Sequence, residues 1–177
     1  SGSAAAWAEF LAACPRFADK VSAVCNPIDS VDWRGDVDDR EKLILFSGRA
    51  IAEKGLEPFC TALAEVLDQS PDWRGALMLG DWDRHKDWAQ PVIQGPERLG
   101  DRVEIHRSAP LDVVRETAKR ASIAVAPSYV AEALGLTALE AHAAGAALIS
   151  SGRGGLREAS GPPAVYVAPP EADRLPA

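Results

Sequence analysis

From Lys42 onward, short apolar runs alternate with helix-favouring segments, and the first run, Lys42 to Ser47 (KLILFS), sets the terms for the rest. Its apolar residues are consecutive and do not alternate with polar ones. A strand with one wet face reads in and out with period two, so a continuous run indicates a parallel strand covered on both sides. A helix pattern follows from about Leu56 to Leu67, then a strand at Ala76 to Leu79 and a helix from Asp83 to about Ile93. Arg102 to His106 reads as a strand, Leu111 to Arg120 as a helix and Ile123 to Ala126 as a strand. Ala147 to Ser150 and Ala164 to Val167 continue the series, with a helical turn around Arg157 and Glu158 between them. This alternation implies right-handed crossovers and an α/β fold, a parallel sheet wound on both faces. Upstream, Ala4 to Ala13 reads as a short amphipathic helix carrying Trp7, Phe10 and Leu11. Lys20 to Cys25 reads as a first strand, Asn26 to Asp29 as its exit turn, and Val31 to Glu41 as a charged loop.

Within this frame the stretch Pro127 to Gly145 (PSYVAEALGLTALEAHAAG) concentrates the chemistry. It leaves a strand, passes a small-residue loop containing Gly135, and enters a helix favoured by Thr137, Ala138, Leu139 and Ala141 and stopped by Gly145. A strand's carboxyl end beside a helix N-terminus is where α/β domains hold ligands, and the amides near Leu136 and Thr137 are placed to bind an anion. Seven residues separate Glu132, expected in the loop, from Glu140, expected early in the helix, so both carboxylates can face one pocket. A plainer reading stands beside this one. Thr137 and Glu140 also form a Thr-x-x-Glu capping box, and Glu132 can be an ordinary solvated acid.

A second segment, Gly48-Arg49-Ala50-Ile51-Ala52-Glu53-Lys54-Gly55, joins the KLILFS strand to the next helix. It is not a Walker A loop, because the Lys precedes the second Gly and no Ser or Thr follows it. Arg49 and Lys54 are either surface charges or a clamp for two phosphates. Gly152, Gly154 and Gly155 leave a later strand, either as a tight turn or as a ligand loop.

Charge excludes some partners. A net charge of −7 and a pI near 5.0 do not suit nucleic acid, which is bound by broad basic surfaces, although they leave room for a local anion site. No apolar run approaches the roughly 18 residues of a membrane span, and the start lacks the basic residues of a signal peptide, so the expected setting is cytoplasmic. Cys14, Cys25 and Cys60 have no paired spacing and read as reduced, mostly buried thiols. His85, His106 and His142 show no metal spacing, and His142, two residues past Glu140, is expected to face away from it. Trp33, Trp73, Trp82 and Trp88 are scattered and read as packing at the edges of the fold rather than a sugar platform.

Taken together, Pro127, Ser128, Glu132, Gly135, Leu136, Leu139, Glu140, Ala141, Ala143 and Gly145 resemble the Glu-x7-Glu motif of retaining glycosyltransferases with two Rossmann-like domains, the GT-B type of group 1. Gly48-Arg49 with Glu53-Lys54-Gly55 is similar to that family's Gly-Arg-x-x-x-Glu-Lys-Gly segment, and Gly154, Gly155 and Glu158 to its Gly-Gly-x-x-Glu segment. The resemblance spans about Lys20 to Val167. It implies that residues 1–177 are a truncated C-terminal nucleotide-sugar-binding domain of Rossmann-like fold, with the N-terminal acceptor domain absent. It further implies that Arg49 and Lys54 contact a donor diphosphate, that Gly135, Leu136 and Thr137 help bind the donor, and that Gly48, Gly154 and Gly155 form donor-side loops. Glu140 would bind the ribose hydroxyls. Glu132 would hold the donor sugar and support an oxocarbenium-like transition state, with the acceptor attacking from the same face. No metal and no cofactor are implied, the nucleotide diphosphate-sugar being the substrate. The family commonly has Gly where this chain has Arg107 and Ser108, Pro at Ala147 and Asp at Ser122, which leaves the base unassigned. Two rival readings are a GT-B-related nucleotide-sugar epimerase and a non-catalytic Rossmann-like binding module.

Overall fold

The computed structural model describes residues 3–20, 22, 24 and 26–168. Its sheet consists of β1 (Glu41–Arg49), β2 (Arg74–Gly80), β3 (Val103–Arg107), β4 (Ala121–Ala126), β5 (Ala147–Ser150) and β6 (Val165–Tyr166). The strands lie in the order β3-β2-β1-β4-β5-β6, and every neighbouring pair is parallel. The helices are α1 (Ala4–Ala13), α2 (Ser30–Trp33), α3 (Leu56–Gln69), α4 (Trp82–Glu97), α5 (Leu111–Arg120), α6 (Leu136–Ala144) and α7 (Gly155–Ser160). The Rossmann-like, doubly wound sheet expected from the pattern is what the chain forms.

The apolar run in β1 shows why both faces must be covered. Ile44 and Phe46 pack with Leu56, Phe59 and Leu63 of α3 and with Leu77 and Leu79 of β2. Leu43 and Leu45 point the other way, into a core with Trp33, Met78, Ala118 and Ala144. Each such side chain contributes roughly 1.5–3 kcal/mol by leaving water, so one wet face would forfeit half of the strand's burial. A third cluster joins Ala138 and Ala141 of α6 to Ala124, Leu148, Leu156 and Ala159. The alanines bring α6 close to β4 and β5. Two arginines tie off helix ends with charge-assisted bonds. Arg40 donates to the carbonyls of Ala121 (2.7 Å) and Ala144 (2.5 Å), and Arg102 donates to those of Leu67, Ser70 and Trp73.

Several local expectations are corrected. The strand expected at Lys20 to Cys25 is not part of the described sheet. Lys20 ends a 3-10 helix (Pro15–Lys20), Ser22 and Val24 have no regular structure, and Val21, Ala23 and Cys25 lie outside the described residues. Helix α1 has the expected limits, but its apolar residues do not enter the core. Phe10 is 42% exposed, and Trp7, Phe10 and Phe17 pack on one another, because α2 to α6 already cover the sheet. The loop expected at Val31 to Glu41 opens with α2, whose first turn is capped by the Asp29 carboxylate accepting from the Val31 N–H. Trp33 and Trp82 are buried in the cores rather than set at the edges. Strand β1 runs on through Gly48 and Arg49, which pair with Leu79 and Gly80, so these two residues end a strand and are not loop.

Candidate functional site

Strand order reverses between β1 and β4, and the helices leaving their carboxyl ends diverge to opposite faces. A crevice opens at such a switch point. Here it is a cleft of about 430 Å³, within the range that holds a small organic ligand. Phe46, Ser47, Val125 and Ala126 line its base. Gly48, Arg49 and Lys54 come from the β1 side, and Ser128, Glu132, Gly135, Leu136, Thr137 and Glu140 from the β4 side. The structure therefore brings together residues from both segments that the sequence had singled out.

The two sides are fastened to each other. After β1 the chain turns through a 3-10 helix (Ala52–Lys54) to Gly55, which has φ +74°. A side chain at Gly55 would put Cβ 2.3 Å from the Pro127 carbonyl oxygen, so only glycine allows this approach. Next to it the Tyr129 N–H donates to the Glu53 carbonyl at 2.8 Å. Lys54 then reaches across, its Nζ 2.5 Å from Glu132 Oε1, with both side chains less than one-fifth exposed. Ser128 Oγ donates to the same carboxylate oxygen. Lys54 and Glu132, expected to serve phosphate and sugar separately, are here an ion pair. Arg49 is exposed on the cleft and has no ion-pair partner among the described residues.

Glu140 is not a capping residue. The N-cap of α6 is Gly135 in a left-handed conformation (φ +89°), so Thr137 already lies inside the helix and cannot cap it. Glu140 projects from the second turn into the cleft without a hydrogen bond to any described residue. Burial pushes its carboxyl above the ordinary carboxylate range, and the Arg115 charge on α5 opposes the rise. The first turn of α6 carries no acidic side chain, and Leu136 and Thr137 of that turn line the cleft, so the positive end of the helix dipole lies beside it.

The glycine loop has a different place from the one expected. Gly154 and Gly155 do not line the cleft. They lie behind the Glu132 loop, where Glu132 and Gly154 form a β-bridge and the Gly155 N–H donates to the Glu132 carbonyl at 2.6 Å. Gly154 has φ +58°, and a Cβ there would come within 2.7 Å of that carbonyl oxygen. These glycines position Glu132 from the rear. Arg153 adds a bond from its Nη1 to the Tyr129 carbonyl.

Other candidates fall outside the cleft. His142 Nε2 meets the Ser160 carbonyl at 2.6 Å, facing away from Glu140 as expected. Arg107 stacks over Trp82 at 4.9 Å and pairs with Glu97, while Ser108 Oγ accepts from the Trp82 N–H. Burial pushes the Cys60 thiol up to about 12, with Glu57 adding to the rise, so it is inert. Cys14 is half-buried, and Cys25 lies outside the described residues. Among the described residues no group of His, Cys, Asp and Glu is arranged to hold a metal, and no helix is long and apolar enough to cross a membrane. Sequence reasoning missed the parts played by Ser128 and Arg115. Ser128 had a signal in its spacing four residues before Glu132. Arg115 had none, since its nearness to Glu140 comes from the packing of α5 against α6.

A doubly wound parallel sheet with a ligand-sized cleft at its switch point is the architecture of the Rossmann-like domains of GT-B glycosyltransferases. The chain belongs to the glycosyl transferases group 1, whose family model matches residues 41–176. An uncharacterized glycosyltransferase of Methanocaldococcus jannaschii is 33% identical over 79% of this chain and 38% of its own length. The D-inositol 3-phosphate glycosyltransferase of Streptomyces griseus is 30% identical over 63% of this chain and 25% of its own. The chain thus spans well under half the length of either curated relative. Among solved structures, HepE of Anabaena in complex with UDP-glucose superposes with a TM-score of 0.75 at 19% identity, covering 97% of this chain and 50% of that one. At that identity the likeness is one of fold.

Proposed function

We propose that this chain is the C-terminal, donor-binding domain of a retaining glycosyltransferase, and that it binds a nucleotide diphosphate-sugar for transfer to an acceptor held by an N-terminal domain outside these residues. The observation that carries the reading is the convergence on one cleft of Arg49, Lys54 and the α6 N-terminus with Glu132 and Glu140. The first three suit the phosphates: two cations and a helix dipole, each charge-assisted contact being worth roughly 1.5–3 kcal/mol. Glu140 offers two carboxylate oxygens to vicinal ribose hydroxyls. Glu132 would lie against the sugar and support positive charge that develops at the reacting carbon, while the acceptor attacks from the face the leaving group vacates. In this reading the diphosphate draws Lys54 from Glu132, so the ion pair gives way as the donor enters. HepE, solved with UDP-glucose, supports a nucleotide-sugar as the ligand class.

Calorimetry with nucleoside mono- and diphosphates tests the proposal. Lys54→Ala should weaken diphosphate binding about ten- to a hundredfold and monophosphate binding less. Equal losses for the two would remove Lys54 from the distal phosphate. A chain that binds no nucleoside diphosphate at all would refute donor binding, the result expected of a non-catalytic binding module.

A further inference from the structure

The Glu132 carboxylate has a second holder besides Lys54. Ser128 is 5% exposed, and its backbone is fixed from two directions, by Gly55 against Pro127 and by the Tyr129 N–H on the Glu53 carbonyl. Its hydroxyl donates to Glu132 Oε1, the oxygen that also takes Lys54. Oε2 forms no hydrogen bond to a described residue, and Glu132 lines the cleft. The last torsion of a glutamate is broad and weakly restrained by itself. Two donors on one oxygen set that torsion and leave the other oxygen to the cleft.

The two donors differ in what a ligand does to them. Lys54 is a long, charged side chain that lines the cleft, and a diphosphate competes for it. Ser128 is neutral, short and held in the wall, so an anion does not draw it away. We propose that Ser128 is a positioning residue for the donor sugar: once Lys54 turns to the phosphates, the Ser128 hydroxyl keeps Glu132 oriented so that Oε2 accepts from a sugar hydroxyl. This rests on the donor-binding reading above and adds to it the residue that sets the sugar contact.

The test is the gain in affinity that the sugar brings, read as the ratio of the Kd for UDP to that for UDP-glucose, and likewise for GDP and GDP-glucose, on the 177-residue chain. Ser128→Ala should reduce this ratio about five- to tenfold, the weight of one hydrogen bond to a charged group. The Kd for the diphosphate alone should stay within about twofold, because Ser128 touches no phosphate in this scheme. Ser128→Cys, nearly equal in volume and a poor donor, should show the same loss and covers the case in which the alanine variant does not fold. In the background of Glu132→Ala, adding Ser128→Ala should change nothing further, whereas a merely structural serine would show its full effect there too. A ratio that survives Ser128→Ala and Ser128→Cys, or an undiminished effect without Glu132, overturns the inference alone. A wild-type chain that gains nothing from glucose refutes the Glu132–sugar contact, and one that binds no diphosphate refutes donor binding itself.

Discussion

Replacing Gly55 by alanine tests whether the two sides of the cleft are held together as the structure shows. Gly55 has φ +74°, where an L-residue costs about 1–2 kcal/mol. Its Cβ would stand 2.3 Å from the Pro127 carbonyl oxygen and 2.9 Å from the carbonyl carbon, which is roughly 1 Å inside ordinary contact. These are backbone atoms that cannot rotate aside, so overpacking adds about 1–3 kcal/mol. The sum, about 2–5 kcal/mol, corresponds to a fall in Tm on the order of 10 °C for a chain of this size. Gly100 is the control. It too has positive φ, +57°, but nothing lies within 4 Å of its Cβ, so Gly100→Ala should cost only the conformational part, about 1–2 kcal/mol. The strain at Gly55 is relieved by moving the Lys54 turn away from Pro127, which carries Lys54 away from the cleft and the place proposed for the phosphates, and loosens the Tyr129–Glu53 bond. Nucleoside diphosphate affinity should therefore drop about tenfold or more in Gly55→Ala and stay unchanged in Gly100→Ala. Thermal unfolding and calorimetry on both variants decide it. A Gly55→Ala protein no less stable than Gly100→Ala, with wild-type nucleotide affinity, would show that this contact does not shape the cleft.

Three further outcomes are expected. Glu140→Gln should weaken nucleotide binding and yet melt no lower than wild type at neutral pH. Burial raises the native carboxyl above its ordinary value of 4.5, so wild-type stability falls as pH rises from about that value through the raised one, a loss glutamine does not share, and the Tm advantage should close below pH 4.5. Glu132→Gln, by releasing Lys54, should tighten binding of the bare diphosphate by roughly two- to fivefold, the weight of a half-screened ion pair, while reducing the gain from the sugar; weaker diphosphate binding would mean that the pair does not compete with phosphate. Incubated with nucleotide-sugars and simple sugar acceptors, the chain should bind donor and form no glycoside, because orientation and water exclusion need a second wall. Multiple-turnover transfer abolished by Glu132→Ala would place a whole active site within these residues.

Much of the fold could be read from local pattern. The continuous run in β1 requires cover on both faces because each of its side chains stabilises only when buried, and Leu43 and Leu45 against Ile44 and Phe46 show both faces in use. Gly145 ends α6 because its φ of +78° is costly for any residue with a Cβ. The cleft's ingredients, Arg49, Lys54, Glu132 and Glu140, were legible as two motifs. Where local reading failed, tertiary competition was the cause. Trp7, Phe10 and Leu11 have helical spacing, but the sheet had no uncovered face to receive them.

What the sequence by itself determined is the alternation of strands and helices, the parallel sense of the sheet, and which residues carry charge into its loops. What only the tertiary structure decided is who meets whom. Nothing in the motifs says that Lys54 pairs with Glu132, 78 residues away, that Gly154 and Gly155 support the Glu132 loop from behind instead of lining the cleft, or that Thr137 lies too deep in α6 to cap it. The reason is physical. Propensity and periodicity act over a few residues along the chain, whereas these contacts depend on strand order, which sets β4 beside β1 and so brings the carboxyl ends of two distant strands together.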